Sequence, residues 1–198
     1  GIVTSSWAGA QGGLGALGKA KSARDSLEKS IQLDPAALQG SAYTSLGSLY
    51  YQVPGWPVGF GSDKKAREYL LKGLEVNPDG IDSNYFYGDF LLQQKEYKAA
   101  VAVLEKALLA PPRPGREDAD AGRRQEIELA LTKAQLEKLK TFNVDALDAQ
   151  SKLSYQLFKQ QLEDNIADDK WRLYNYPVNQ MYGYHSMVPS LLINQHSI

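Results

Sequence analysis

A short pattern that recurs along the chain constrains its fold more than any single motif. Three segments share the order small residue, Leu, small residue, Pro, and they span residues 23–35, 66–78 and 100–112. The last two are offset by 34 residues, from Pro78 to Pro112, and the offset before them, from Pro35 to Pro78, is longer. Because proline cannot continue a helix, each segment predicts a helix that stops at its proline.

A matching first helix precedes the later copies. Leu46, Gly47 and Tyr50 follow a Leu-Gly-x-x-Tyr spacing, and Tyr87, Gly88 and Leu91 stand in the same register. Small residues let two helices approach closely, while Leu and Tyr fill the seam. Together with the period, this register is typical of tetratricopeptide helix hairpins, predicted here over residues 8–112.

Two proline- and glycine-rich segments interrupt the pattern. VPGWPVGFGSD, which contains Trp56 and Phe60, lengthens one hairpin; we predict a loop anchored by its aromatic residues, with ligand binding as the alternative. APPRPGREDADAG precedes an amphipathic helix that is expected to cap the repeats. In this second segment, mixed charges favour a salt-bridged loop over an anion site.

The chain ends differently from how it begins. Residues 148–168 predict one more helix, and four tyrosines lie between Tyr174 and Tyr184 in an irregular, aromatic-rich tail. The predicted fold is therefore all-α, a tetratricopeptide-like solenoid (residues 1–140) followed by a helix and a tail (residues 141–198).

Composition excludes most kinds of catalytic site. The chain has 198 residues, no cysteine, two histidines and a net charge of -1, which argues against nucleic-acid binding and against thiolate chemistry. His185 and His196 lack an acidic ligand pair, so no metal, cofactor or catalytic residue is predicted. The glycines of Gly13-Leu-Gly15-Ala-Leu-Gly18 fit a dinucleotide fingerprint in letters, yet no strand precedes them. No stretch is long enough to span a membrane.

Surface recognition is the remaining function. First helices of stacked hairpins line a concave face, so we predict that a protein or peptide, or alternatively a small ligand, binds there. The candidate binding residues are Tyr43, Tyr50, Tyr51, Trp56, Phe60, Asn84, Tyr85 and Asp89.

Two family resemblances extend this prediction. GSAYTSLGSLYYQVPGWPVGFGSDKKAREYL and NPDGIDSNYFYGDFL make residues 1–135 resemble tetratricopeptide proteins related to the T component of TRAP-type transporters. That resemblance implies a bacterial periplasmic or secreted binding protein, a possible subunit of an envelope assembly, with further sequence before Gly1.

Residues 144–198 are similar to the early region of the DUF885 family of zinc-peptidase-like lipoproteins, through Tyr155, Phe158, Leu162 and the run Asn179-Gln180-Met181. That family is expected to carry its metal-binding helix downstream of this region, so the alternative function is an incomplete metallopeptidase-like protein. The two resemblances meet between residues 126 and 144, which implies either an unusual fusion or a chimeric chain.

Overall fold

Eight α-helices account for most of the backbone that the computed structural model describes, which is residues 1–172 without the side chains of residues 13 and 14. Two short 3-10 turns, Val144–Ala146 and Asp169–Trp171, flank the last helix. Across residues 1–172 no strand forms. The helices are α1 (Ile2–Gln11), α2 (Gly13–Leu33), α3 (Ala37–Gln52), α4 (Asp63–Val76), α5 (Ile81–Gln93), α6 (Tyr97–Leu108), α7 (Glu117–Lys140) and α8 (Ala149–Asp168).

Each helix packs on the next, and first helices also contact one another. α1–α2, α3–α4 and α5–α6 form successive hairpins, and α3 contacts α5, which in turn contacts α7. Such nearest-neighbour packing is the architecture of a helical solenoid. The predicted all-α solenoid is therefore confirmed, whereas the predicted tail, residues 173–198, lies outside the described residues.

The recurring small residue and Leu explain why the hairpins close. The small residues Ala23, Ala66 and Ala100 are all fully buried, and the leucines four positions later are buried with them. Burying a leucine side chain contributes about 1.5–3 kcal/mol, so the repeated Leu is a major source of stability. The second helices of the repeat are thus placed as the sequence predicts.

The interval from Pro35 to Pro78 is longer than the next one for two reasons, and the sequence predicted one of them, the loop between α3 and α4. Gly47 follows Pro35 by 12 residues, while Gly88 follows Pro78 by 10. Leu38, Gln39 and Gly40 adopt left-handed backbone angles at the start of α3 and absorb the two additional residues. The loop between α3 and α4 accounts for the rest.

The α7 helix covers the last hairpin, as predicted for a cap. Ile127, Ala130 and Ala134 join the buried cluster of α5 and α6. The predicted seam between the two family resemblances falls largely inside α7, which runs without interruption from Glu117 to Lys140.

The α8 helix packs on α7 but leaves much of its apolar face open. Leu162 is buried, whereas Leu153, Leu157 and Phe158 are exposed. Asp148 caps the helix by accepting a hydrogen bond from the Ser151 backbone N–H at 2.8 Å.

Two further expectations can be compared with the structure. The glycine-rich run near Gly13 opens helix α2 directly after helix α1, so the strand that a dinucleotide site needs does not precede it. None of the helices in residues 1–172 is long and apolar enough to cross a bilayer.

Candidate functional site

One face of α5 presents polar and aromatic side chains between α3 and α7. Asp82, Phe86, Asp89 and Gln93 follow one another at helical spacing, and none of them is fully buried. We call this face, with the adjoining residues of α3 and α7, the first-helix surface. It contains three of the predicted site residues: Tyr51, Tyr85 and Asp89.

At the α3 end of this surface, Asp89 is bound by neutral donors. The Tyr51 hydroxyl donates to Asp89 Oδ2 at 2.7 Å, and Gln93 Nε2 donates to the same oxygen at 3.2 Å. Burial raises the pKa of Tyr51 far above its usual value, and the Asp89 charge raises it further. Tyr51 therefore stays protonated and remains a hydrogen-bond donor.

At the α7 end, Asp82 is neutralised by two arginines. Arg113 Nη1 lies 2.6 Å from Asp82 Oδ2, and Arg123 Nε lies 2.7 Å from Oδ1. Arg123 also pairs with Glu126. The side chains of Asp82, Arg113 and Arg123 are partly buried, which makes the pairs among them stronger than exposed ones.

Arg123 also covers the aromatic residues of the surface. Its guanidinium carbon lies 4.6 Å from the ring centre of Tyr85 and 4.8 Å from that of Phe86. Burial, and then the charge of Asp89, raises the pKa of Tyr85 to about 12. The neutral phenol of Tyr85 thus lies between the ion-paired Arg123 and the Asp89 carboxylate.

Tyr50 and Asn84 do not belong to this surface, because both side chains are buried, and their prediction as binding residues there is wrong. Tyr50 is 3% exposed, stacks on Tyr69 at 5.6 Å and bonds to Glu28. Asn84 is 2% exposed and donates to the backbone carbonyls of Pro78 and Gly80. Asn84 holds the turn that precedes α5. Tyr50 packs against α4 and occupies the Tyr position of the repeat, which itself predicts a place in the seam.

Tyr43 lies toward α4 as well. Its ring centre is 6.4 Å from that of Tyr69, and the two ring planes are inclined by 28°. It is partly buried, and it belongs to the α3–α4 contact rather than to the surface shared by α3, α5 and α7.

The loop between α3 and α4 separates its two aromatic residues. Phe60 packs edge-on against Tyr50 at 5.6 Å, and the Arg24 guanidinium covers it at 4.8 Å. Trp56, by contrast, is 90% exposed. Phe60 anchors the loop as predicted, whereas the same prediction for Trp56 is wrong.

The segment after α6 is held by ion pairs, in agreement with the salt-bridged loop predicted for it. Asp120 is almost fully buried and accepts two bonds from Arg113: its backbone N–H at 2.9 Å and its Nε at 2.7 Å. Arg124 donates to the backbone carbonyl of Leu108, which ends α6 and has no helical partner, and to that of Ala110 just after the helix.

Replacing Asp120 tests how much this network stabilises the fold. The hydrogen bonds from Arg113 lower the pKa of Asp120 below its usual value. Its contribution is therefore present above the unfolded pKa of about 4 and is lost as the pH falls through the lower folded pKa. We expect Asp120→Asn to reduce the free energy of unfolding by about 1–2 kcal/mol at neutral pH and by less in acid.

Urea unfolding at about pH 7 and about pH 3 measures both effects. Asp118→Asn is the control, because Asp118 is an exposed carboxylate in the same helical turn. Equal losses for the two variants would contradict a structural role of Asp120.

The described residues contain no cluster of three or more His, Asp or Glu side chains that could hold a metal ion. His185 and His196 lie outside the described residues. The metallopeptidase alternative therefore stays a prediction based on resemblance.

Four residues that were not among the predicted candidates complete the surface: Asp82, Phe86, Gln93 and, from α7, Arg123. For the three residues on α5 a signal was available, because Asp82, Phe86, Asp89 and Gln93 recur at spacings of four, three and four residues. That spacing marks a single face of α5.

Comparison with known proteins supports the repeat architecture. Residues 81–114 match the tetratricopeptide repeat family, and this range contains the α5–α6 hairpin. No curated protein and no solved structure gave a significant match. The match therefore rests on the hairpin that carries Asp82, Tyr85 and Asp89.

Proposed function

We propose that this chain is a non-catalytic binding scaffold whose first-helix surface holds a segment of a partner protein. Tetratricopeptide repeats commonly mediate protein binding, and the matched repeat supplies α5, the central helix of the surface. The carrying observation is the face of α5 itself, where Asp89 and Tyr85 remain partly accessible between α3 and α7.

The chemistry of the surface suits an extended peptide better than a small enclosed ligand. Tyrosine rings offer apolar area with a polar edge, and carboxylates and amides offer hydrogen bonds along the first-helix surface. A small ligand remains the alternative, and competition by free amino acids in the binding experiment distinguishes it.

Selection from a random 12-residue phage-displayed peptide library tests the proposal. We expect enriched peptides to lose at least about tenfold in affinity for Gln93→Arg, which places a bulky cation on the surface. Gln161→Arg adds the same charge to an exposed position of α8 and should leave affinity unchanged. Enrichment of no peptide, or equal loss with both variants, would contradict the proposal.

We further propose that the scaffold works in the bacterial cell envelope, where it is a subunit of a larger assembly. The family resemblance of residues 1–135 supports the location, and the exposed Leu153, Leu157 and Phe158 of α8 support an additional contact. Osmotic-shock fractionation tests the location, and native mass spectrometry of the envelope fraction tests the assembly. A cytoplasmic, monomeric chain would overturn both parts.

A further inference from the structure

Two aspartates on the same face of α5 have opposite electrostatic environments. Asp82 contacts the guanidinium groups of Arg113 and Arg123. Asp89, two turns further along, has no ion pair with any residue in the described part of the chain. The fold pairs Asp82 with two arginines, which also pair with Asp120 and Glu126, and it gives Asp89 no cationic partner among the described residues.

The hydrogen bonds of Asp89 leave one oxygen open. Both neutral donors, the Tyr51 hydroxyl and Gln93 Nε2, bind Oδ2. Among the described residues no donor reaches Oδ1. The carboxylate is therefore fixed in orientation on one side and free to accept on the other.

Partial burial makes this arrangement favourable for an external cation. Asp89 is partly buried, so a positive charge placed beside it interacts in a lower dielectric than in water. An anion would be repelled. Tyr85 does not add to this attraction, because the Arg123 guanidinium already covers its ring at 4.6 Å.

We propose that Asp89 binds a lysine side chain of the partner segment, with Tyr51 as the residue that positions the carboxylate. Lysine fits better than arginine, because bidentate pairing uses one N–H on each oxygen, and Oδ2 already accepts two hydrogen bonds. A single ammonium needs only Oδ1. This inference rests on the proposed peptide-binding function and adds the chemistry of the bound residue.

The test uses the peptides enriched from the phage library on the full chain. We expect them to share a lysine whose replacement by Gln lowers affinity by at least about tenfold, and whose replacement by Arg lowers it less. Asp89→Asn should weaken the lysine peptide by a similar factor and make it insensitive to the Lys-to-Gln change. Asp145→Asn, an exposed carboxylate after α7, serves as the matched control.

Charge reversal separates recognition from loss of structure. Asp89→Lys should reject the lysine peptide and bind the same peptide with Glu in place of Lys, a rescue that misfolding cannot produce. Peptides that lose affinity with Gln93→Arg but keep it when their lysine is replaced would overturn this inference and leave the proposed function standing. Enrichment of no peptide would overturn both.

Discussion

Phe90→Ala should lower the free energy of unfolding by about 3–5 kcal/mol, the largest loss expected from any single change discussed for this chain. Phe90 has no exposed surface. Although it lies on α5, it belongs to the buried cluster of α3 and α4, whereas its neighbour Leu91 belongs to the cluster of α5 and α6. Its ring therefore links two hairpins, and truncation removes packing between repeats.

Guanidinium denaturation monitored by circular dichroism measures this loss. Phe142→Ala is the control, because Phe142 is a phenylalanine that is 54% exposed between α7 and α8. We expect the control to lose less than about 1 kcal/mol. A Phe90 variant as stable as the Phe142 variant would show that the repeats do not depend on this contact.

Two glycine-to-alanine substitutions should change stability in opposite directions. A Cβ at Gly47 would lie 2.6 Å from Leu70 Cγ and 3.1 Å from the Leu70 backbone nitrogen, so α3 and α4 would have to separate. Overpacking of this kind costs about 1–3 kcal/mol. A Cβ at Gly122 in α7 meets nothing within 4 Å, and alanine should stabilise that helix by about 0.5–1 kcal/mol.

Thermal unfolding of the two variants beside the parent chain is sufficient to compare them. We expect a lower midpoint for Gly47→Ala and a higher one for Gly122→Ala. If Gly47→Ala were also stabilising, the close approach of α3 and α4 at the Leu-Gly-x-x-Tyr motif would be wrong.

The second helices could be predicted because one physical requirement recurs in each of them. A small residue and a leucine one turn later must both be buried for a hairpin to close. The sequence pattern alone therefore predicts that Ala66 and Leu70 are buried. The capping role of α7 could be predicted for the same reason. Its apolar residues have to cover the last hairpin.

The site was predicted less completely, and Tyr50 and Tyr51 show why. Adjacent residues on a helix point about 100° apart. Tyr50 accordingly enters the contact with α4, while Tyr51 reaches Asp89 on α5. Deciding which tyrosine faces the next repeat requires the stacking angle between hairpins, and local periodicity does not contain that angle.

The exposed Trp56 was missed for a different reason. Aromatic residues in a loop usually pack inward. Here Phe60 alone makes that contact, since it packs against Tyr50 and Arg24. One anchor is enough to fix the loop. The sequence does not show which of two aromatics will supply it.

The left-handed segment Leu38–Gly40 shows how a repeat can accommodate additional residues between two helices. Two inserted residues inside a continuous helix would rotate everything after them by about 200°, and Leu46 would no longer point at Leu70. Left-handed backbone angles at the joint instead keep the side chains of α3 pointing in the same direction. The conformational cost is about 1–2 kcal/mol for each non-glycine residue involved. Two additional residues at a joint between hairpins therefore leave the contacting faces of the following helices unchanged.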